Sequence, residues 1–116
     1  MEGEFRCSDR DGIVIRCDAK CWKEHILDEH PEMDKCEEYV KGTIENPLKV
    51  CKDKYHPNNK ILYASPNMPT PISYPYLRVV VKYHKNLLGK VKGYVKSAFP
   101  CVSIRKGDEI LWEQQL

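Results

Sequence analysis

Between Asp53 and Asp108 the chain contains no acidic residue. The same interval carries Lys54, Lys60, Arg78, Lys82, Lys85, Lys90, Lys92, Lys96, Arg105 and Lys106, while the residues before it are net acidic. A formal net charge of only +2 therefore conceals two halves of opposite sign. A basic half of this kind suits a polyanionic partner such as nucleic acid. The other meaning of the pattern is a soluble sheet surface whose lysines guard against edge pairing.

Other absences narrow the class. No apolar run approaches the roughly 20 residues that span a bilayer, so no membrane partner is expected. The opening MEGEFRCSDRDG is charged and lacks the apolar core of an export signal, which predicts a cytoplasmic protein. No internal repeat or linker interrupts the chain, so residues 1–116 are read as one domain, with room for a single modest core. Hydrophobic content of 41% and charged content of 31% fit a folded chain.

Six cysteines, Cys7, Cys17, Cys21, Cys36, Cys51 and Cys101, form an even set such as a secreted disulfide framework has. Without an export signal, and at mostly apolar-patterned positions, they read as reduced core thiols.

EFRC and GIVIRC alternate apolar and polar residues around SDRDG, as a hairpin does. Asp18 is a candidate N-cap for a helix to about Glu29, with Trp22, Ile26 and His30 on its inward stripe. Pro31 suits the first turn of a second helix to about Glu45, with Met33, Cys36, Val40 and Ile44 inward. After Pro47 the period becomes two. LKVCKD and KILYAS flank a YHPNN turn, and a loop with Pro66, Pro69, Pro71 and Pro75 follows. YLRVVVKYH reads as the central strand, KVKGYVKSAF as its neighbour, and VSIR-KGD-EILW as a closing hairpin. The expected fold is α+β, with two N-terminal helices packed on one face of a mainly antiparallel sheet of four to six strands.

Two constellations carry candidate chemistry. In YLRVVVKYH, Leu77, Val79, Val81 and Tyr83 face one way and Arg78, Val80, Lys82 and His84 the other. In the next strand the same alternation groups Val91, Gly93, Val95, Ser97 and Phe99, with Lys90, Lys92, Tyr94 and Lys96 opposite. The cationic face makes a phosphate cradle with a tyrosine for base stacking; a solvated antiparallel face looks similar. The second constellation is Cys17-x3-Cys21-x3-His25-x4-His30, whose spacings zinc can use. It lacks a Cys-x2-Cys knuckle, so a zinc-stabilised domain ranks third and neither metal nor cofactor is expected. His25 on a helix stripe reads as a buried histidine; His30, at a helix end before Pro31, is better placed to reach a cleft.

Trp22-x2-His25-Ile26-x3-His30-Pro31-Glu32 resembles the W-x2-H-I-x3-H-P-E signature of a phage-associated nuclease-like family within the barnase–EndoU–colicin–RelE superfold. The likeness continues through Thr43-Ile44-x2-Pro47, Ile61-Leu62-Tyr63 and Leu77-Arg78-Val79-Val80-Val81. It ends at Lys96-Ser97-Ala98-Phe99-Pro100 and Lys106-Gly107-Asp108-Glu109-x2-Trp112, covering about residues 18–112. The resemblance implies a small α+β fold and a metal-independent endoribonuclease of phage or toxin type, which leaves a 2′,3′-cyclic phosphate and has RNA and a cognate antitoxin as partners. It assigns His25 and His30 to acid–base work and Ser97 to the family's small hydroxyl position. Strand alternation adds Lys82 as a charge stabiliser and Arg78, His84, Lys92, Tyr94 and Lys96 as substrate contacts. A non-catalytic module binding nucleic acid or protein is the competing expectation.

Overall fold

A computed structural model describes residues 2–68 and 74–115. The protein is α+β, built on one mixed seven-stranded sheet with short helices. Its strands are β1 (Phe5–Ser8), β2 (Val14–Cys17), β3 (Lys49–Lys52), β4 (Asn59–Ala64), β5 (Tyr76–Lys85), β6 (Val91–Cys101) and β7 (Glu109–Glu113). They lie in the order β1-β2-β6-β5-β4-β3-β7, which puts YLRVVVKYH at the centre as its composition predicts. The pairs are antiparallel except β2 with β6, which run parallel. Seven strands exceed the expected four to six, because the N-terminal hairpin joins the main sheet through that parallel pair. The expected closing hairpin is also corrected. Only β7 forms, and it pairs with β3, while residues 102–108 fold over the sheet instead.

The helices are shorter than their patterns suggest. Asp18 caps α1 (Ala19–Cys21), its carboxylate accepting the Cys21 N–H at 2.7 Å. The chain then widens into a π-helical stretch, Trp22–Leu27, in which Asp28 N–H reaches Lys23 O at 3.1 Å, five residues back. Pro31–Met33 forms only a 3-10 turn, and Lys35 then adopts φ 62°. A left-handed residue cannot continue a right-handed helix, so α2 begins at Glu37 and ends at Glu45 rather than running from Pro31. The inward stripe survives the break: Met33, Cys36, Val40 and Ile44 are all buried.

The core fills one sheet face. Ile15, Cys17, Leu62, Leu77, Val79, Val81, Val95 and Ala98 meet Trp22, Ile26, Met33, Val40 and Ile44. Two glycines are required there by close approach. A Cβ on Gly93 would stand 2.4 Å from Ile15 Cδ1, and one on Gly3 2.3 Å from Trp22 Cγ. The β1–β2 turn closes the open end of this face, with Tyr83 Oη donating to Asp9 Oδ2 at 2.7 Å and the Arg10 guanidinium 4.1 Å from the Trp112 ring.

On the opposite face Cys51, Ile61, Tyr63 and Val80 form a smaller apolar cluster beneath Ile104. Arg105 fastens the covering segment: its guanidinium donates to Asp53 at 2.9 Å and to Asp108 at 2.8 Å. That end of the face is roofed. The end formed by β1, β2, β6 and the C-terminal half of β5 stays open. All six cysteines are free thiols, and four of them are buried.

Candidate phosphate site and nucleic-acid face

The site depends on one irregularity in β6. Val80 pairs with Ser97 but Val81 pairs with Val95, so Lys96 is an extra residue on that strand. A bulge of this kind shifts the alternation by one. Val91, Gly93 and Val95 face the core side as expected, but beyond Lys96 the core positions pass to Ala98 and Pro100, which are buried. Ser97 and Phe99 thereby move to the cationic face, correcting the uninterrupted alternation read from sequence. Ser97 now stands opposite Val80, and Phe99 opposite Arg78.

The same strand explains how a helix on the core side reaches the other face. Beyond its two paired positions with β2, the outer edge of β6 is followed by the first helical segment. The Cys21 thiol donates to Val95 O at 3.0 Å, and further along, the His30 ring stacks on Phe99 with centroids 4.7 Å apart and planes at 22°. His30 therefore wraps round the edge of β6 onto the face that carries Arg78, whose guanidinium carbon lies 5.3 Å from the centroid of the Phe99 ring. Glu32 Oε1 is 3.5 Å from His30 Nδ1, which leaves Nε2 as the presented nitrogen. The imidazole side chain is 29% exposed. Arg78 Nε is buried without a hydrogen-bond partner among the described residues. A buried charged donor in that condition is costly.

His25 is exposed and makes no hydrogen bond or ion pair with described residues. It is not the buried histidine that its stripe suggests. Cys21 before it and His30 after it both touch β6. The cysteine–histidine quartet does not converge on a metal: Cys17 is buried, Cys21 holds a backbone carbonyl and His30 stacks on Phe99. Among the described residues no three metal-ligating side chains gather.

Lys82 and Lys96 are both exposed and line one open cavity of about 300 Å³ with His56, Pro57, Asn58 and Asn59. His84 and Lys92 are exposed cross-strand neighbours at the far end of β5 and β6. Tyr94 is 44% exposed and pairs with Lys82 on one side and Arg16 on the other. Along this face the structure therefore places His30, Arg78 and Ser97 beside the roofed cluster, Lys82 and Lys96 in the open middle, and Tyr94, Lys92 and His84 at the far open end.

Sequence reasoning missed Phe99 as the platform for His30, Glu32 as its partner, His56 beside the lysines, and the outward arginines Arg6 and Arg16. The acid-free interval drew attention away from β1 and β2. Yet both arginines occupy polar positions of EFRC and GIVIRC, and those positions predict an outward side chain. The two acids that bound the interval are neutralised by Arg105. Hydrogen bonds from Arg105 lead in holding Asp108 below the usual carboxylate range. Asp53 is pushed up by burial, but the Tyr55 N–H and Arg105 outweigh this and leave it low.

The chain matches no family model, no curated protein and no solved structure.

Proposed function

We propose that this protein is a metal-independent endoribonuclease, a small domain of the barnase–EndoU–colicin–RelE kind. The observation that carries the reading is that His30 and Arg78 both lie against Phe99, with Ser97 two residues before it on β6, brought to this face by the Lys96 bulge. The positive charge of the Arg78 guanidinium beside Phe99 offsets the charge of a scissile phosphate as the pentavalent centre develops. One imidazole removes the ribose 2′-hydroxyl proton, and O2′ bonds to phosphorus. As the P–O5′ bond breaks, a second protonated group gives its proton to O5′. His30, at the β6 edge, and the exposed His25 share these roles. The Ser97 hydroxyl donates to a phosphate oxygen, and Lys82 and Lys96 hold the flanking backbone. The products are a 2′,3′-cyclic phosphate and a 5′-hydroxyl. RNA is the partner, and an antitoxin with an acidic surface fits the same face.

Labelled RNA incubated with the protein in EDTA tests this. Cyclic-phosphate ends are expected, with cleavage falling about 10²- to 10⁴-fold in His30→Ala. A second reading, a non-catalytic binder of RNA or an acidic protein, draws on the open cationic face alone. Salt-sensitive binding without cleavage, weakened in Lys82→Ala or Lys92→Ala, decides for it.

A further inference from the structure

The open face holds a second cavity, of about 200 Å³, lined by Arg6, Arg16, Lys90, Lys92 and Tyr94 with Val14 among them. Strand register explains it. Arg6 pairs with Arg16, Arg16 with Tyr94, and Tyr94 with Lys82, so four strands present a single row on this face. At a strand spacing of about 4.8 Å the row is about 14 Å wide. Arg6 and Arg16 stand directly opposite each other, an arrangement of like charges that destabilises a sheet. Neither has an ion pair among the described residues, and no acid lines the cavity. The charge repulsion is relieved when an anion occupies the cavity, and the exposed Tyr94 ring adds a stacking surface that an inorganic anion does not use.

The geometry points to a subsite for one nucleotide of single-stranded RNA, its base stacked on Tyr94 and its phosphates held by Arg6, Arg16 and Lys92. Duplex RNA does not fit the role, because its bases are already stacked on each other. This inference rests on the reading of the face as an RNA site. It adds direction: the strand runs along β6 from Tyr94 toward Phe99, on the order of 15 Å at about 3.4 Å per residue, and delivers a phosphodiester to Arg78 and His30.

The test is fluorescence anisotropy of a labelled single-stranded 2′-O-methyl RNA, which has no nucleophilic hydroxyl, with cleavage of ordinary RNA followed in parallel. Tyr94→Ala is expected to weaken binding about fivefold or more, and Tyr94→Phe to stay within about twofold, because stacking needs the ring and not the hydroxyl. The Arg6→Ala, Arg16→Ala double variant is expected to weaken binding and flatten the salt dependence by about two phosphate contacts. Unchanged affinity in Tyr94→Ala and in the arginine variant, with cleavage by the native protein intact, overturns the subsite and leaves the endoribonuclease reading standing. Equal competition by heparin against native protein and Tyr94→Ala reduces the cavity to a plain anion patch and also overturns it. Native protein that neither binds nor cleaves RNA overturns both readings.

Discussion

At the scale of single residues, Arg105 shows how a charge can serve the fold. Its guanidinium joins Asp53 and Asp108, both nearly buried, and its backbone N–H donates to the buried Tyr63 hydroxyl at 3.3 Å. Arg105→Ala leaves two carboxylates without their cation and is expected to cost about 3 kcal/mol at pH 7, measured by urea denaturation. Both carboxylates titrate below their unfolded values. The stability they contribute is therefore complete above an unfolded carboxylate value of about 4 and is lost as pH falls through the folded values. The gap between native protein and Arg105→Ala should narrow in acid; a gap that widens contradicts the assignment. The thiols offer a second residue-scale prediction. Cys21 and Cys101 are both partly exposed, but a hydrogen bond from Cys17 lowers Cys21 despite its burial, whereas burial raises Cys101. Under native conditions near pH 7.5, iodoacetamide should label Cys21 first, as read by peptide mass spectrometry; preferential labelling of Cys101 is the contrary result.

At the scale of elements, the decisive feature is where alternation breaks. Gly93 keeps β6 close to β2 and β5, with Ile15 filling the space a side chain would take. Gly93→Ala is expected to destabilise by about 1–3 kcal/mol in thermal or urea unfolding, since Ile15 and Val81 both sit inside contact distance of the new methyl. An unchanged midpoint contradicts this packing. Much of the element pattern was legible in the sequence. The hairpin, the Asp18 cap, the buried stripe from Met33 to Ile44 and the central β5 all follow from local periodicity and capping. The bulge was legible only in part. Apolar positions run 91, 93, 95 and then 98 and 100, a change of phase that marks one extra residue, but serine and phenylalanine at 97 and 99 mask it. The break at Lys35 was hidden because an ordinary lysine gives no sign of a left-handed backbone. The parallel docking of β2 on β6 is a long-range choice that local pattern does not encode. Of the expected cation cluster, Lys82, Lys92, Lys96 and Tyr94 share the open face, while the roofed half belongs to Tyr63, Val80 and Ile104.

At the scale of the whole molecule, the charge separation of the sequence becomes a spatial one. Lysine and arginine from β1, β2, β5 and β6 collect on one open face, and the acids bounding the basic half are held by Arg105 at its roofed end. No helix among the described residues is long and apolar enough to cross a membrane. RNA affinity should fall steeply with salt, and Lys82→Ala or Lys96→Ala should each reduce the logarithmic slope by about one, in contrast to an uncharged Ser97→Ala. The most direct test of the account is an NMR titration of the native protein with a single-stranded 2′-O-methyl RNA. The account predicts that the His30 ring, the Arg78 Nε–H and the Ser97 amide shift together and saturate at one concentration. Shifts confined to other surfaces, with these three signals unmoved at saturation, would contradict it.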